Sequence, residues 1–305
     1  MDRRQAQAEA AEEEVTGFAR FAAIDWSGAK GRRHKGIAIA LCEEGDAAPV
    51  LVRPGHVWSR TEVLDWLLAA ADEAPTLFGF DFSFAPPIAE RGEYLPGEAE
   101  VPSSARAFWA YVDAACADED LGAASFLETR HRRHFYFGAA DGAKRNFLHH
   151  RVCEQRFNAT GGGKASTLYD AIGAAQVAKA SFAGMRLLHA LNGRVPVWPF
   201  DFAQDGPIDP LPAQGSLVVE IYTRIFIRLA GLSGRKVRSL APLNQALSAL
   251  ASRPYEGTAP LSDHDTDALI AAAGLRALSR EHGSWAPPGL SPALAQTEGW
   301  TFGIS

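Results

Sequence analysis

One run of residues constrains the fold more than any other: residues 76–84 (TLFGFDFSF) are mostly aromatic or apolar around a single acid, Asp81. Near-continuous apolar character is typical of a strand that is covered on both faces of its sheet. An unpaired carboxylate in such surroundings carries a large desolvation cost. The run therefore predicts a buried central strand that contains an acid with a specific role.

Three shorter β-rich runs precede it, at residues 21–25, 36–42 and 50–58, and turn-forming residues separate them. They predict three antiparallel strands joined by hairpins. Ser59 stands three residues before Glu62, which is the spacing of a capping box, so a helix is predicted to follow. A parallel strand reached through that helix arrives by a right-handed crossover, and the fourth strand can then lie beside the first.

A long interruption separates these elements from the rest of the sheet. Residues 85–213 are rich in proline and polar residues and predict a mainly helical insertion, with helices near 103–117 and 166–191. A fifth strand is predicted at 216–222 (SLVVEIY), and a final helix at 263–279. The insertion therefore falls between strands four and five.

The order of elements predicts one RNase H-like α/β domain, in which helices flank a mixed five-stranded sheet. The domain covers residues 16–305, with a core formed by 16–84 and 214–305 and the large insertion 85–213. Residues 1–15 are rich in alanine and glutamate, and they predict a disordered tail rather than a secretory signal.

Four acids are candidates for one shared site. Asp25 ends the first predicted strand, Asp81 lies in the fourth and Glu220 in the fifth. Asp267 joins them from the final helix, on a face whose apolar residues point toward the sheet. His264 lies three residues earlier on the same face and is a further catalytic candidate.

Structural roles compete with the functional ones. Ser262 and Asp265 have the spacing of a second capping box, which gives that aspartate a structural role. Asp25 could merely open a turn, and Glu220 could pair with Arg224 or with an arginine of the insertion. These alternatives remain open from the sequence.

A divalent cation would resolve the repulsion among these carboxylates. Neighbouring strands lie about 4.8 Å apart, so acids at adjacent strand ends can reach one ion. All-oxygen ligation favours Mg²⁺ or Mn²⁺ over zinc. Two such ions about 3.5 to 4 Å apart can activate water and stabilise the leaving oxygen in phosphodiester cleavage. The predicted metal ligands are Asp25, Asp81, Glu220 and Asp267.

Five segments together resemble the domain-of-unknown-function family 429, whose members are predicted RNase H-like nucleases: AAIDWSG, GFDFSFAPP, VVEIYTR, HDTDALIAAAGLRAL and EGWTFG. The match runs in order through nearly the whole chain. The resemblance implies that Asp25, Asp81, Glu220 and Asp267 take the family's acidic positions. It also implies that His264 and Asp267 form a motif like that of the final helix in RuvC-like resolvases.

Basic residues are the candidate contacts for a phosphate-bearing substrate. The formal net charge is −6, so a nucleic-acid partner would have to be held by local clusters. Lys30 lies in a short basic turn, and Arg132 and Arg133 lie in a longer basic stretch of the insertion. Lys164 follows a glycine run (NATGGGKAS) that lacks the spacing of a phosphate-binding P-loop. Each cluster has a solvated surface as its structural alternative.

Two other functions compete with a nuclease. An actin-like phosphotransferase could use the DWSGAKG turn for phosphates, but no second glycine-bearing phosphate hairpin follows Asp81. A binding module without catalysis is the alternative that the negative net charge favours. Three separated cysteines without a CxxC pair, and the lack of a 20-residue apolar run, predict a cytoplasmic protein that does not enter membranes.

Overall fold

Five strands form one mixed sheet in the computed structural model, which describes residues 17–172, 177–203, 215–232, 237–258 and 260–305. The strands are β1 (Arg20–Asp25), β2 (Ala38–Glu43), β3 (Val50–Leu51), β4 (Thr76–Phe80) and β5 (Leu217–Glu220). Their order across the sheet is β3-β2-β1-β4-β5. β1 is antiparallel to β2 and parallel to β4, and β4 is parallel to β5. The predicted α/β fold with a mixed five-stranded sheet is confirmed, and the strand order fits an RNase H-like layout.

Helices flank this sheet in the described part of the chain. They are α1 (Arg60–Glu73), α2 (Ala105–Ala115), α3 (Val152–Ala159), α4 (Val177–Ala190), α5 (Thr223–Leu229), α6 (Leu240–Ala249), α7 (Asp263–Ser279), α8 (His282–Trp285) and α9 (Pro292–Gln296). No described helix has both the length and the apolar character needed to cross a membrane. The predicted tail, residues 1–15, lies outside the described residues.

Two apolar cores form, one on each face of the sheet. Side chains alternate along β1, so that Ala22 and Ile24 enter one core while Phe21 and Ala23 enter the other. α1, α2 and α4 cover the first face, and α5, α6 and α7 cover the second. Every residue of β4 is buried, as predicted for a central strand.

A glycine in β4 allows α7 to pack closely on the sheet. A Cβ atom at Gly79 would lie 2.8 Å from Cγ2 of Ile221 and 3.1 Å from Cδ2 of Leu275. A larger residue would push α7 away from β4 because packed interiors have little spare volume. The close approach fixes the helix whose first two turns carry His264 and Asp267.

The predicted helix starts are confirmed by their capping geometry. The Ser59 hydroxyl accepts from the Glu62 amide at 3.1 Å, and the Glu62 carboxylate accepts from the Ser59 amide at 2.8 Å. Ser262 and Asp265 form the same reciprocal pair at the start of α7. These local hydrogen bonds satisfy amides that a helix end leaves unpaired, which explains why the sequence marks both boundaries.

Two predicted elements differ from the structure. The strand predicted at 50–58 is only two residues long, because the backbone turns away at Arg53 and Gly55, which both have positive φ. The helix predicted at 166–191 begins at Val177, and residues 166–172 are not helical. Thr167 instead donates to the carbonyl oxygens of Phe147 and His149, which ties this segment to a neighbouring loop. Residues 173–176 of that prediction lie outside the described residues.

Candidate active site

The carboxyl ends of β1, β4 and β5 meet at one edge of the sheet because the three strands are parallel. Asp25 is the last residue of β1, and Glu220 is the last residue of β5. Asp81 follows β4 directly, and its amide donates to the carbonyl oxygen of Ile24 at 3.1 Å. Three of the four predicted acids therefore reach the same edge.

Asp81 is the most strongly perturbed of these acids. Burial, followed by the charge of Asp25, raises the pKa of Asp81 to about 8. The charges of Asp267 and Glu220 act in the same direction, while a hydrogen bond from the Thr223 hydroxyl, at 3.0 Å, opposes them. The carboxylates at this edge are thus close enough to disfavour each other's ionisation.

Asp25 is paired with His264 from the start of α7. Nδ1 of His264 lies 2.5 Å from Oδ2 of Asp25, and the side chains are 48% and 14% exposed, respectively. This hydrogen bond raises the pKa of His264, while burial raises the pKa of Asp25. The imidazole lies beside Gly36, where an added Cβ would be 3.5 Å from Nε2. The imidazole is therefore partly exposed at the sheet edge, while its Nδ1 is hydrogen-bonded to Asp25.

Asp267 lies one turn after His264 and is partly buried. Its charge raises the pKa values of both Asp81 and His264. This electrostatic coupling agrees with the prediction that Asp267 lies on the face of α7 that points toward the sheet.

Glu220 has a structural environment that sets it apart from the other acids. Its Oε2 accepts from Nη1 of Arg151 at 2.7 Å and from the amide of Phe84 at 2.7 Å. Its Oε1 accepts from Nη2 of Arg151 and, at 2.6 Å, from the Thr301 hydroxyl. Four donors thus occupy the carboxylate, which is buried. The pairing with an insertion arginine, one of the two alternatives for Glu220, is therefore the one observed. The assignment of Glu220 as a metal ligand and catalytic acid stays a prediction.

The other three acids lie at the same edge of the sheet, but their carboxylates do not surround one common position. Asp25, Asp81 and Asp267 do not make a trio whose ligand atoms all lie within 4.8 Å of one another. Cis ligands of one Mg²⁺ ion lie about 3 Å apart, given metal–oxygen distances of about 2.0 to 2.1 Å. Rotation of these side chains would therefore be required before they could share an ion.

The predicted substrate contacts Lys30, Arg132 and Arg133 each have an acidic partner. Nζ of Lys30 lies 2.6 Å from Glu128, and Nη2 of Arg132 lies 2.8 Å from Asp141. Arg133 contacts Glu98 at 2.8 Å. The same holds for other members of these clusters, in the pairs Arg32–Glu119, Arg33–Glu62 and Lys144–Asp170. A phosphate that used these groups would share them with an acid that already offsets part of their charge.

Lys164 lies on an exposed loop that packs beside the candidate site. Oδ1 of Asn158 accepts from the Ala165 amide at 2.7 Å and closes the loop. Arg228 of α5 donates to the carbonyl oxygen of Thr160 at 2.9 Å. The first residue of α5, Thr223, donates to Asp81. One short helix therefore connects the lysine loop to the buried acid.

The sequence analysis allowed for an insertion arginine as the partner of Glu220 but did not single out Arg151. Arg151 is 1% exposed, and it also contacts Glu154 at 2.9 Å and the carbonyl oxygen of Glu298 at 3.2 Å. Glu298 and Thr301 belong to the terminal EGWTFG segment, whose polar residues offered the only sequence signal for this network. The network joins the insertion, β5 and the C-terminal segment.

The pairing of Asp25 with His264 leads to a prediction on pH. Because the folded state raises the His264 pKa, the stabilisation is present below the unfolded value of about 6.5 and is lost as pH rises through the folded value. Replacing His264 with glutamine is therefore expected to destabilise the protein at pH 6 more than at pH 9. The expected difference is at most about 1 kcal/mol because the imidazole is half exposed.

Urea unfolding at the two pH values measures this effect. His189→Gln on α4, which also removes an exposed histidine, is the matched control. An equal loss of stability at pH 6 and pH 9 would show that the Asp25 pair does not depend on imidazole charge.

Comparisons of the chain with protein-family models, curated proteins and solved structures gave no match. The candidate site is therefore supported by the geometry of this chain alone.

Proposed function

We propose that this protein is a divalent-metal-dependent phosphodiester hydrolase of RNase H-like type. The observation that carries the proposal is the placement of Asp25, Asp81 and Asp267, with His264, at the carboxyl edge of three parallel strands. Ligands in open α/β sheets bind outside the carboxyl ends of the strands.

The residues at this edge suit a hard cation. Asp25, Asp81 and Asp267 offer carboxylate oxygens, which Mg²⁺ and Mn²⁺ prefer. The elevated pKa of Asp81, caused by burial and by neighbouring carboxylates, fits a site in which a positive charge would relieve repulsion. Bound there, a divalent ion would act as a Lewis acid toward a phosphoryl oxygen.

His264 would serve two purposes at such a site. Through Nδ1 it orients the Asp25 carboxylate. Its side chain is 48% exposed, and its Nε2, which does not contact Asp25, could exchange a proton with a substrate oxygen. Lys164 lies on a loop that contacts α5 through the carbonyl oxygen of Thr160, and we expect it to contact a substrate phosphate.

Hydrolysis assays with Asp267→Asn and Asp263→Asn test this proposal. Both aspartates lie in the first turns of α7, but Asp263 is already paired with Arg238, whose Nε lies 2.9 Å from its Oδ1. With Mg²⁺ or Mn²⁺, Asp267→Asn is expected to lower phosphodiester hydrolysis about 100-fold or more, since metal assistance contributes several kcal/mol to such reactions. Asp263→Asn is expected to keep near wild-type activity.

The substrate panel should include single-stranded, duplex and branched DNA and RNA, and a small phosphodiester. Thermal unfolding with each metal ion provides a readout that does not depend on the substrate. The proposal is wrong if the wild-type chain hydrolyses none of these substrates and gains no stability from either ion.

A binding module without catalysis is the second candidate. The pairing of the basic side chains Lys30, Arg132 and Arg133 with acids leaves less positive charge for a nucleic-acid backbone, which weakens the case for a nuclease and favours a module that binds a nucleotide or a protein. Stabilisation by a nucleotide or oligonucleotide without turnover would distinguish this function from hydrolysis.

A further inference from the structure

A second group of metal-binding residues lies within the insertion. His131 immediately precedes the 3-10 turn Arg132–His134 and His134 ends it, and an i, i+3 spacing in such a turn places side chains on the same side. Glu98, from the segment that precedes α2, faces both rings. None of these residues belongs to the acidic edge of the sheet.

The distances within this trio are close to those between the ligands of one metal ion. Oε1 of Glu98 lies 2.8 Å from Nε2 of His134 and 3.6 Å from Nδ1 of His131. One ligand atom from each residue lies within 4.8 Å of the others, and no other trio among the described residues meets this criterion. Tetrahedral ligands about 2.0 to 2.1 Å from zinc lie roughly 3.3 Å apart. The two distances to Oε1 of Glu98 thus differ from that ligand spacing by about half an ångström or less.

His131 provides a second, independent observation. Its side chain is 1% exposed, and its Nδ1 has no hydrogen-bond partner among the described residues. Its other nitrogen, Nε2, lies 2.9 Å from the hydroxyl of Tyr111. Metal-binding histidines commonly have such an outer partner, which fixes the orientation of the ring. The buried Nδ1 of His131 therefore faces Glu98 without a hydrogen bond to any described residue.

We propose that Glu98, His131 and His134 bind a borderline transition-metal ion of the Zn²⁺ class. Two imidazole nitrogens and one carboxylate favour zinc over Mg²⁺, which prefers oxygen ligands. Three protein ligands leave one position of a tetrahedral ion for water. The ion joins the segment before α2 to the turn that follows residue 130, and so fixes part of the insertion.

Arg133 competes with the metal for Glu98. Its Nη2 lies 2.8 Å from Oε1 of Glu98, and its Nε lies 3.2 Å from Nε2 of His134. The side chain is 63% exposed, so it can turn toward solvent when an ion enters. Removing this guanidinium should therefore tighten metal binding, whereas a site that is only a salt bridge would gain no affinity for zinc.

Calorimetric titration of the full, tag-free chain with Zn²⁺ tests the proposal. We expect one tight equivalent, which Glu98→Gln and His134→Gln weaken by more than about 100-fold, since loss of even an outer partner commonly costs 10- to 100-fold. Arg133→Ala is expected to bind about 2- to 5-fold more tightly, because an exposed ion pair competes only modestly. The Co²⁺ complex should show absorption bands of a four- or five-coordinate site without a thiolate charge-transfer band.

Matched controls separate this site from other ligands. His149→Gln removes a histidine of the insertion that lies outside the trio, and Asp267→Asn alters the acidic edge. Both should bind Zn²⁺ as the wild-type chain does. If His134→Gln fails to fold, Glu98→Gln and Arg133→Ala still decide the question because their side chains are more exposed.

Three results would overturn the proposal: no stoichiometric zinc binding, unchanged affinity in Glu98→Gln, or a thiolate band in the Co²⁺ spectrum. Failure of the acidic edge to respond to Mg²⁺ or Mn²⁺ would leave this site unaffected, since the ligands and the preferred ions differ.

Discussion

Replacing Asp81 with asparagine is expected to stabilise the protein at pH 7.5, without added metal, by on the order of 3 kcal/mol. Burial and neighbouring carboxylates raise the pKa of Asp81 from 3.8 to about 8, so ionising this group costs folding free energy. A tenfold change in an acid dissociation constant corresponds to about 1.4 kcal/mol. We expect less than the full free-energy change that the pKa shift implies, because the Asp81 side chain is partly exposed. Asparagine keeps the shape of the side chain and can still accept from Thr223.

The gain should depend on pH in a defined direction. A raised acid pKa gives stability that is fully present below the unfolded value and is lost as pH rises through the folded value. The wild-type protein should therefore match Asp81→Asn near pH 4 and fall progressively behind it up to about pH 8. Urea unfolding of both proteins across this range measures the difference.

The same variant separates a functional acid from a structural one. If Asp81 helps to bind a divalent ion, the more stable Asp81→Asn protein should show no further gain from Mg²⁺ or Mn²⁺. A variant that is less stable than wild type at pH 7.5 would instead mean that the ionised carboxylate contributes to the fold through the Thr223 hydrogen bond.

Replacing Arg151 with methionine is expected to destabilise the protein by about 3 to 5 kcal/mol. The guanidinium makes two hydrogen bonds to Glu220 and one to Glu154, and all three side chains are buried. Removal of one partner leaves buried charge without compensation, which is the costly case for an internal ion pair. Urea unfolding at neutral pH gives the loss directly.

A double-mutant cycle with Glu220→Gln identifies the source of that loss. The combined variant Arg151→Met/Glu220→Gln should recover part of the stability, because the second change removes one of the unpaired charges. Arg156→Met is the control, since Arg156 lies on α3 close to Arg151 but donates to the C-terminal carbonyl oxygen of Ser305.

The role of Glu220 is decided by the metal response of the single variants. Glu220→Gln should lower the free energy of unfolding but keep the stabilisation by Mg²⁺ or Mn²⁺. Asp267→Asn, in contrast, is expected to lose that stabilisation. If Glu220→Gln instead abolished that response without a loss of stability, Glu220 would act as a ligand after all.

Local signals in the sequence were sufficient to place the sheet and two of its acids. Hydrophobic runs, turn residues and capping boxes depend on near neighbours. They placed β1, β2, β4, β5, α1 and α7 close to where the structure has them, whereas the run at 50–58 forms only the two-residue strand β3. The preference for a right-handed crossover then predicted the parallel pairing of β1 and β4. Parallel strands end at the same edge, so Asp25 and Asp81 had to lie there together.

The partners of the charged residues, in contrast, depend on tertiary packing. Glu220 meets Arg151, 69 residues away, and Glu98 meets His134, 36 residues away. Such pairs depend on how the insertion folds on itself and against the core, and no local periodicity encodes that packing. The same packing gave Lys30, Arg132 and Arg133 their acidic partners, so basic stretches of the sequence became neutralised surfaces. Backbone geometry follows from neighbours along the chain, whereas ion pairing follows from neighbours in space.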